Sequence, residues 1–454
     1  MSEKYDVAVI GSGSGGSEAA LLAAEKGFRA ILVEKDAFGG TRFHRGCYAV
    51  RALHASSRVY RQIVKSRHFG VEADLLRSSL VDWMKAQRAA SARLAEELRK
   101  RLELLNVRIA TGTGSLLGEH QVQITDSLDR HEDIEAEYII LATGSRPDFM
   151  PSEGSRFFNS DDLIARVYPP SHLFIIGGGY VGCEFASIYR ALGCRVSLAE
   201  QRERLLPDWD PSVGERVAAE FSANGVELHL GRNVEVEKVP IEDGYPILTQ
   251  PDGDQISPDL VLVATGRRPN VESIALDRLG IAAHPYVEVD GQLRTSQRHI
   301  FAIGDVNGLN MLDSSASAQA RIAVEAIRGG DTLFSSRWVP RYLDTDPPVA
   351  AVGWMETDAN EAGFEVDTKS ETVKLVTSED RTVADPSYTQ VKLIVEQRTK
   401  KIRGCVIIGH QAAEVINLAA LAIQSDVTAS DLERLFLVHP SVSVALQRCA
   451  AKFR

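Results

Sequence analysis

The sequence contains no apolar run long enough to cross a bilayer, which excludes a helical membrane protein. Cysteine is scarce: Cys47, Cys183, Cys194, Cys405 and Cys449 are the five in 454 residues, and no two form a C-x-x-C pair. An odd, scattered set of this kind is no structural disulfide framework, and it offers no metal-ligand spacing. Positive charge is outnumbered, with 51 Lys and Arg against 62 Asp and Glu, a net charge of −11. That balance argues against nucleic acid as a general partner. Low-complexity runs are absent, and no signal segment precedes the first strand pattern, so the expected location is the cytoplasm. The remaining composition, 44% hydrophobic and 25% charged, is that of an ordinary globular protein. At 454 residues the chain is too long for one core, and roughly two to four domains are expected.

Against that background two segments repeat one another. Asp6-Val7-Ala8-Val9-Ile10 reads as a short buried strand, followed by Gly11-Ser12-Gly13-Ser14-Gly15-Gly16 and a helical pattern from Ser17 to Lys26. A second strand, Ala30 to Val33, leads to Glu34 and Lys35. Further on, Leu173 to Ile176, Gly177-Gly178-Gly179-Tyr180-Val181-Gly182, and Val196 to Ala199 ending at Glu200 repeat the arrangement. In both, the acid stands 23 residues after the first glycine of a G-x-G-x-x-G fingerprint. Glycines let backbone approach a pyrophosphate, the helix N-terminus offers N–H groups and a positive dipole end, and the acid accepts from ribose hydroxyls. Two such units with the same offset point to two dinucleotide sites.

Each unit is later followed by a strand ending in Ala-Thr-Gly. These are Tyr138 to Gly144, with Thr143 and Gly144, and Leu260 to Gly266. Between roughly Ser57 and Val107 the pattern is helical, with Ser91 to Leu105 alternating apolar and charged residues at helical spacing. Beyond about residue 335 the dinucleotide pattern ends, and an α/β segment closes the chain.

These units, with Phe301-Ala302-Ile303-Gly304-Asp305, Thr345-Asp346-Pro347, Gly409 with Glu414, and His439-Pro440-Ser441, are collinear with a known pattern. The chain resembles the pyridine nucleotide-disulfide oxidoreductases, most closely their dihydrolipoamide dehydrogenase branch. The resemblance implies an α/β fold with two Rossmann-like domains and a C-terminal α+β dimerisation domain. FAD would take residues 1–150 and 270–335, NAD residues 151–269, and the homodimer interface residues 336–454. By the same resemblance Gly11, Gly13, Ser14 and Gly16 face the FAD pyrophosphate, Glu34 and Lys35 the adenosine end, and Asp305 the ribityl chain. Gly40, Thr41, Gly114, Thr143, Gly144 and Met311 fall at other FAD positions. Gly177, Gly179, Tyr180, Gly182, Glu200, Gly266 and Arg268 fall at nicotinamide-cofactor positions. A carboxylate at Glu200 repels a 2′-phosphate, so NADH is expected over NADPH. Arg202 and Arg204 lie close by in sequence and oppose that expectation.

The departures are as telling as the matches. The segment Gly39-Gly40-Thr41-Arg42-Phe43-His44-Arg45-Gly46-Cys47 resembles the family's redox-disulfide motif with Arg42 in place of the thiol that attacks the substrate. Arginine has no sulfur and cannot form that disulfide. The second cysteine remains as Cys47. The base of the family is present as His439, but the orienting acid five residues on is Val444. Arg51 keeps a positive charge that is expected to pair with Glu184. Where relatives carry Ala-His-Lys-Ala, this chain has Asp313-Ser314-Ser315-Ala316. Cys47, His439, Arg51 and Glu184 are therefore the candidate catalytic residues. Cys47 reads either as a redox thiol or as a buried bystander, and Arg42 either as an attractor of anionic acceptors, helped by His44 and Arg45, or as loop drift. Three functions remain open. One is an NADH oxidoreductase passing electrons through FAD to a non-disulfide small-molecule or protein acceptor. The others are a single-cysteine thiol or persulfide reductase, and a flavoprotein that senses NADH or docks a partner.

Overall fold

The computed structural model describes residues 3–64, 66–72, 80–166, 168–249, 253–375 and 387–454. They gather into two compact units. One holds Met1–Ala52, Asp82–Asp148 and Gly266–Ser336, and the other holds Leu53–Val81, Phe149–Thr265 and Arg337–Arg454.

In the first unit, β1 (Glu3–Ile10), α1 (Ser14–Glu25) and β2 (Ala30–Glu34) form the first nucleotide-type unit. There follow α2 (Gly40–His44), the start of α3 (Cys47–Val64), whose residues from Leu53 on belong to the second unit, then α4 (Leu80–Leu104), which is in the first unit from Asp82 on, β3 (Arg108–Thr111), β4 (Thr113–Gly118), β5 (Gln121–Thr125), β6 (His131–Leu141) and β7 (Ser145–Pro147). The sheet runs β3-β2-β1-β6-β5-β4. β1 pairs in parallel with β2 and β6, with Val7 opposite Ala30 on one side and Tyr138 on the other. Apolar runs such as Val7-Ala8-Val9-Ile10 suit a central parallel strand, because both of its faces are covered.

The second unit repeats the plan with β8 (Phe157–Phe158), α5 (Ser160–Ala165), β9 (His172–Ile176), α6 (Tyr180–Ala191), β10 (Arg195–Glu200), α7 (Pro211–Ala223) and β11 (Val226–Leu230). Two small hairpins, β12 (Ile241–Glu242) with β13 (Tyr245–Pro246) and β14 (Leu248–Thr249) with β15 (Gln255–Ile256), precede β16 (Leu260–Val263). The sheet order is β11-β10-β9-β16-β8, all parallel.

The chain then returns to the first unit. β17 (Arg267–Pro269) pairs with β7, β18 (Ile300–Ala302) adds to β6, and α8 (Asp313–Ile327) packs against α1. The second unit is completed by β19 (Arg341–Leu343), β20 (Val349–Gly353), α9 (Glu356–Glu361), β21 (Val366–Leu375), β22 (Ser387–Glu396) and β23 (Ile402–Ile408), an antiparallel sheet ordered β19-β20-β23-β22-β21. α10 (Ala412–Gln424), α11 (Ala429–Glu433) and α12 (Ser443–Ala450) share an apolar core with it, from Val391 and Ile407 to Ala419 and Leu446.

Three details differ from the sequence reading. The helical stretch expected from Ser57 begins at Cys47, because Val50, Leu53, His54 and Ser57 recur at helical spacing and are buried. Residues 73–79, within that expected hairpin, lie outside the described residues. Gly266 and Arg268 group with the first unit, since β17 pairs with β7 and not with β16. Most of the residues expected as separate 151–269 and 336–454 domains, Phe149–Thr265 and Arg337–Arg454, gather in one unit, together with Leu53–Val81. Ion pairs join these segments: Arg58 and Arg61 reach Asp344 and Asp346 at 3.5 and 3.1 Å, and Lys392 reaches Asp210 at 2.9 Å.

Candidate functional site

Both glycine loops are braced by their own acid. In the first unit, Gly11 N–H donates to the Val33 carbonyl at 2.8 Å, turning the chain out of β1. The Glu34 carboxylate accepts from the Ser12 N–H at 2.9 Å, the Ser12 hydroxyl at 2.6 Å and the Asp36 N–H at 2.9 Å. In the second unit, Gly177 N–H donates to the Ala199 carbonyl at 2.8 Å. Glu200 accepts from the Gly178 N–H at 2.7 Å and the Arg202 N–H at 2.9 Å. Sequence reasoning singled out both acids but missed the brace. Its signal is the residue between the first two glycines, Ser12 in one loop and Gly178 in the other.

The helices that follow are open at their N-termini. Gly13 caps α1 and Gly179 caps α6, and neither helix has a side-chain cap. A methyl group added at Gly13 or Gly179 would meet nothing within 4 Å. Uncapped N–H groups beside open space make a cradle that fits an anion such as a pyrophosphate. The backbone of Gly40 closes on the first loop, since a methyl group there would lie 3.2 Å from the Gly13 Cα. Gly114 packs on the Ile10 side chain, and Thr143 donates its hydroxyl to the Asn270 carbonyl at 2.7 Å beside Gly144. Lys35 is exposed just beyond β2, and Met311 is half-buried just before α8.

A charged cluster sits at the start of α8. Asp305 accepts from the Ser145 hydroxyl at 2.6 Å, and Arg267 donates to the same hydroxyl oxygen at 2.8 Å. Burial pushes the Asp305 carboxyl above the usual range against the pull of Ser145 and Arg267, and Asp313 adds like-charge repulsion. Asp313, the first residue of α8, takes the Ser14 hydroxyl hydrogen bond and lies 3.4 Å from Arg42 Nε. Arg42 also donates to the Tyr48 hydroxyl at 3.2 Å and stacks over the Phe43 and Tyr48 rings at 5.4 and 5.2 Å. Burial opposes its charge, but Asp313 and Tyr48 prevail and hold the guanidinium above its ordinary pKa. Arg45, expected to add free positive charge, is bound to Asp36 at 2.9 Å. His44 Nε2 lies 2.9 Å from the Phe38 carbonyl.

Cys47 opens α3 and is exposed, which overturns the reading of a buried bystander thiol. The other four cysteines are buried. Burial pushes the Cys183 and Cys405 thiols well up and those of Cys194 and Cys449 up to about 11, so all four stay protonated. Arg51 is half-buried further along α3.

In the second unit, Tyr180 begins α6 with its ring 6.3 Å from Trp209, and Arg341 lies over Trp209 at 4.8 Å. Buried Glu184 accepts from the Asp344 N–H at 3.0 Å. Arg202 pairs with Asp208 at 3.4 Å, and Arg204 donates to the Pro207 carbonyl at 2.8 Å. Gly182 lies inside α6, buried against the Gly177 carbonyl. His439 is exposed ahead of α12, which carries Val444. In the first unit, Arg268 is held by Asp148.

Residues 5–327 match the family model for pyridine nucleotide-disulphide oxidoreductases. The chain belongs to this family. Residues 339–450 match the family's dimerisation domain. The family binds FAD and NAD(P), and the chain is an oxidoreductase of this class. It is 31% identical to a dihydrolipoyl dehydrogenase of Chlorobaculum tepidum over 99% of this chain and 97% of that one. A second, from Chlorobaculum parvum, is 32% identical over 99% and 97%. The crystal structure of LpdA from Mycobacterium tuberculosis superposes with a TM-score of 0.89 at 25% identity, covering 99% of this chain and 100% of that one. No described helix is long and apolar enough to cross a membrane, and the described residues include no metal-binding cluster.

Proposed function

We propose that this protein is an FAD-dependent NADH oxidoreductase that has given up dithiol exchange and passes electrons to a non-disulfide acceptor. The observation that carries this reading is Arg42. It stands where the family's exchange thiol would be, and its partners are Asp313, Tyr48 and Phe43, not sulfur. No disulfide joins the five cysteines, all of which are among the described residues. The four beyond Cys47 are buried and protonated, so none of them supplies the missing thiolate.

The reading assigns residues 1–150 and 270–335 to FAD, 151–269 to the nicotinamide cofactor, and 336–454 to a homodimer interface. FAD, when bound, supplies hydride acceptance from the nicotinamide and electron release to a second substrate. Gly11, Gly13, Ser14 and Gly16 hold its pyrophosphate at the open end of α1. Glu34 and Lys35 take the adenosine end, and Asp305 takes the ribityl hydroxyls. Gly40, Thr41, Gly114, Thr143, Gly144 and Met311 shape the remaining wall. Gly177, Gly179 and Gly182 hold the second pyrophosphate, Tyr180 covers the nicotinamide side, and Gly266 and Arg268 line its approach. NADH is favoured because Glu200 is a carboxylic acid residue where a 2′-phosphate would lie, while Arg202 and Arg204, the cations close by in sequence, are engaged by Asp208 and Pro207. Cys47, Arg51, Glu184 and His439 serve the reacting end. Exposed Phe436 and Val438 support the interface assignment.

The exposure of Cys47 favours one second reading, in which this thiol forms a mixed disulfide or persulfide during turnover. Anaerobic titration with NADH, followed by an acceptor panel, separates the two. The proposal expects two electrons per flavin, slow lipoamide turnover and activity surviving Cys47→Ser. Four electrons per flavin would overturn it, and loss of all acceptor turnover in Cys47→Ser would favour the thiol reading.

A further inference from the structure

Two departures from the family pattern, 271 positions apart in sequence, meet in space. By the resemblance set out above, Arg42 stands where relatives carry a cysteine and Asp313 where they carry an alanine, and the structure brings the two to 3.4 Å. We propose that Asp313 is the positioning residue and charge partner of Arg42, and that the pair makes the reacting end selective for uncharged acceptors over anionic ones. The inference rests on the reading of Arg42 given above and adds the acceptor class to it.

The geometry argues against a free cation at this place. Arg42 and Asp313 are partly shielded, with side-chain exposures of 23% and 29%, so their attraction is screened less than at an open surface. Asp313 also takes the Ser14 hydroxyl, so α2, which carries Arg42, is tied through Asp313 to the first turns of both α1 and α8. Tyr48 and Phe43 hold the guanidinium from the other side. Of the neighbouring groups, Arg45 is compensated by Asp36, and Asp305 has Arg267 close by. A solitary arginine would draw anions. An arginine cancelled at this range by Asp313 does not. Nor is Asp313 isolated: beside Asp305 it adds like charge, and Arg42 offsets it.

The acceptor test uses two probes of known charge. With 1,4-benzoquinone the balance is NADH + H⁺ + quinone → NAD⁺ + hydroquinone. With ferricyanide, two anions each take one electron and NADH yields NAD⁺ and H⁺. Asp313→Asn leaves the shape and removes the charge. It is expected to raise the ferricyanide-to-benzoquinone ratio of kcat/KM by about tenfold, an effect that fades with added salt. Asp313→Glu should restore the wild-type ratio, which a purely structural role would not do for both probes. Arg42→Ala with Asp313→Asn should return the ratio toward wild type.

A second readout is independent of any flavin reaction. In urea unfolding of the full-length protein as purified, Arg42→Ala, Asp313→Ala and the double variant form a cycle. Coupling of about threefold or more in the unfolding constant is expected. Additive effects, or an unchanged acceptor ratio in Asp313→Asn, overturn the proposal. If NADH fails to reduce the flavin at all, the functional reading falls while the unfolding cycle still decides the pair.

Discussion

The first glycine loop separates a folding requirement from a binding requirement within four residues, and the separation is measurable. At Gly16 an added methyl would lie 1.8 Å from the Gly11 carbonyl oxygen and 3.1 Å from the Ala142 methyl. Ordinary contact is near ~3.4 Å, so backbone in a buried turn would have to move by about 1.5 Å, at a cost on the order of 1–3 kcal/mol or more. At Gly13 the same methyl meets nothing within 4 Å, and the backbone, φ −60° and ψ −172°, is open to alanine. Gly13→Ala should therefore leave stability within about 0.5 kcal/mol. It should nonetheless block the approach of a pyrophosphate to α1 and weaken FAD by about 10- to 100-fold, or ~1.4–2.8 kcal/mol. Gly16→Ala should lower the apoprotein melting temperature by roughly 5 °C or more. The assay pairs thermal melts of apoprotein with fluorescence titration by FAD. The second loop offers the same contrast, since Gly182→Ala would meet the Gly177 carbonyl oxygen at 1.9 Å and Gly179→Ala nothing. If Gly13→Ala melts as early as Gly16→Ala, or binds FAD as tightly as wild type, the reasoning from open space to cofactor fails.

Glu200→Arg should shift the preference from NADH toward NADPH by about tenfold, ~1.4 kcal/mol. It should also cost stability, because two backbone N–H donors lose their acceptor; wild-type preference for NADPH by kcat/KM would contradict the assignment. Native protein treated with iodoacetamide at pH 8 should take up one alkyl group, at Cys47, since the other thiols are buried and held protonated; mass spectrometry showing label at Cys194 or Cys449 would refute this. The Asp305 carboxyl is raised by burial, so the folded state holds its proton more tightly than the unfolded chain does. Its contribution to stability is therefore full below the unfolded value, lost as pH rises through the raised folded value, and absent at neutral pH. Asp305→Asn should then melt no earlier than wild type as apoprotein while retaining FAD poorly, and a lowered melting temperature at pH 7 with FAD retained would reverse the argument. Arg42→Cys alone should not restore lipoamide turnover, whereas adding Val444→Glu should help more than additively; full activity in the single variant would show that His439 needs no orienting acid.

The two nucleotide units were legible in the sequence because their physics is local. A buried strand, a loop whose glycines admit close backbone, and an acid at the next strand's end all follow from nearest-neighbour chemistry. The periodicity of apolar residues did the same for β1, α1, β9 and α6. The start of α3 was less legible. Its inward face begins inside the motif that resembles the redox loop, and its charged residues obscure the spacing of Val50, Leu53 and Ser57.

What residue order determined by itself was the pair of glycine loops with their acids, and an arginine, which carries no sulfur, at position 42. Partnership was decided only by tertiary structure. Nothing in the local sequence around Arg42 names Asp313 as its counter-ion, nor Ser12 as the brace on Glu34, nor Trp209 as the surface behind Tyr180. Arg42 and Asp313 meet because α1 and α8 pack side by side and bring Ser14 and Asp313 to one end, beside the short helix α2 that carries Arg42. Cys47 likewise reads as a core thiol from residue type alone. Its exposure follows from its place at the first turn of α3, ahead of the face that Val50 and Leu53 bury. A side chain's charge is written in the sequence, but whether that charge is free or cancelled depends on which distant segment the fold lays beside it.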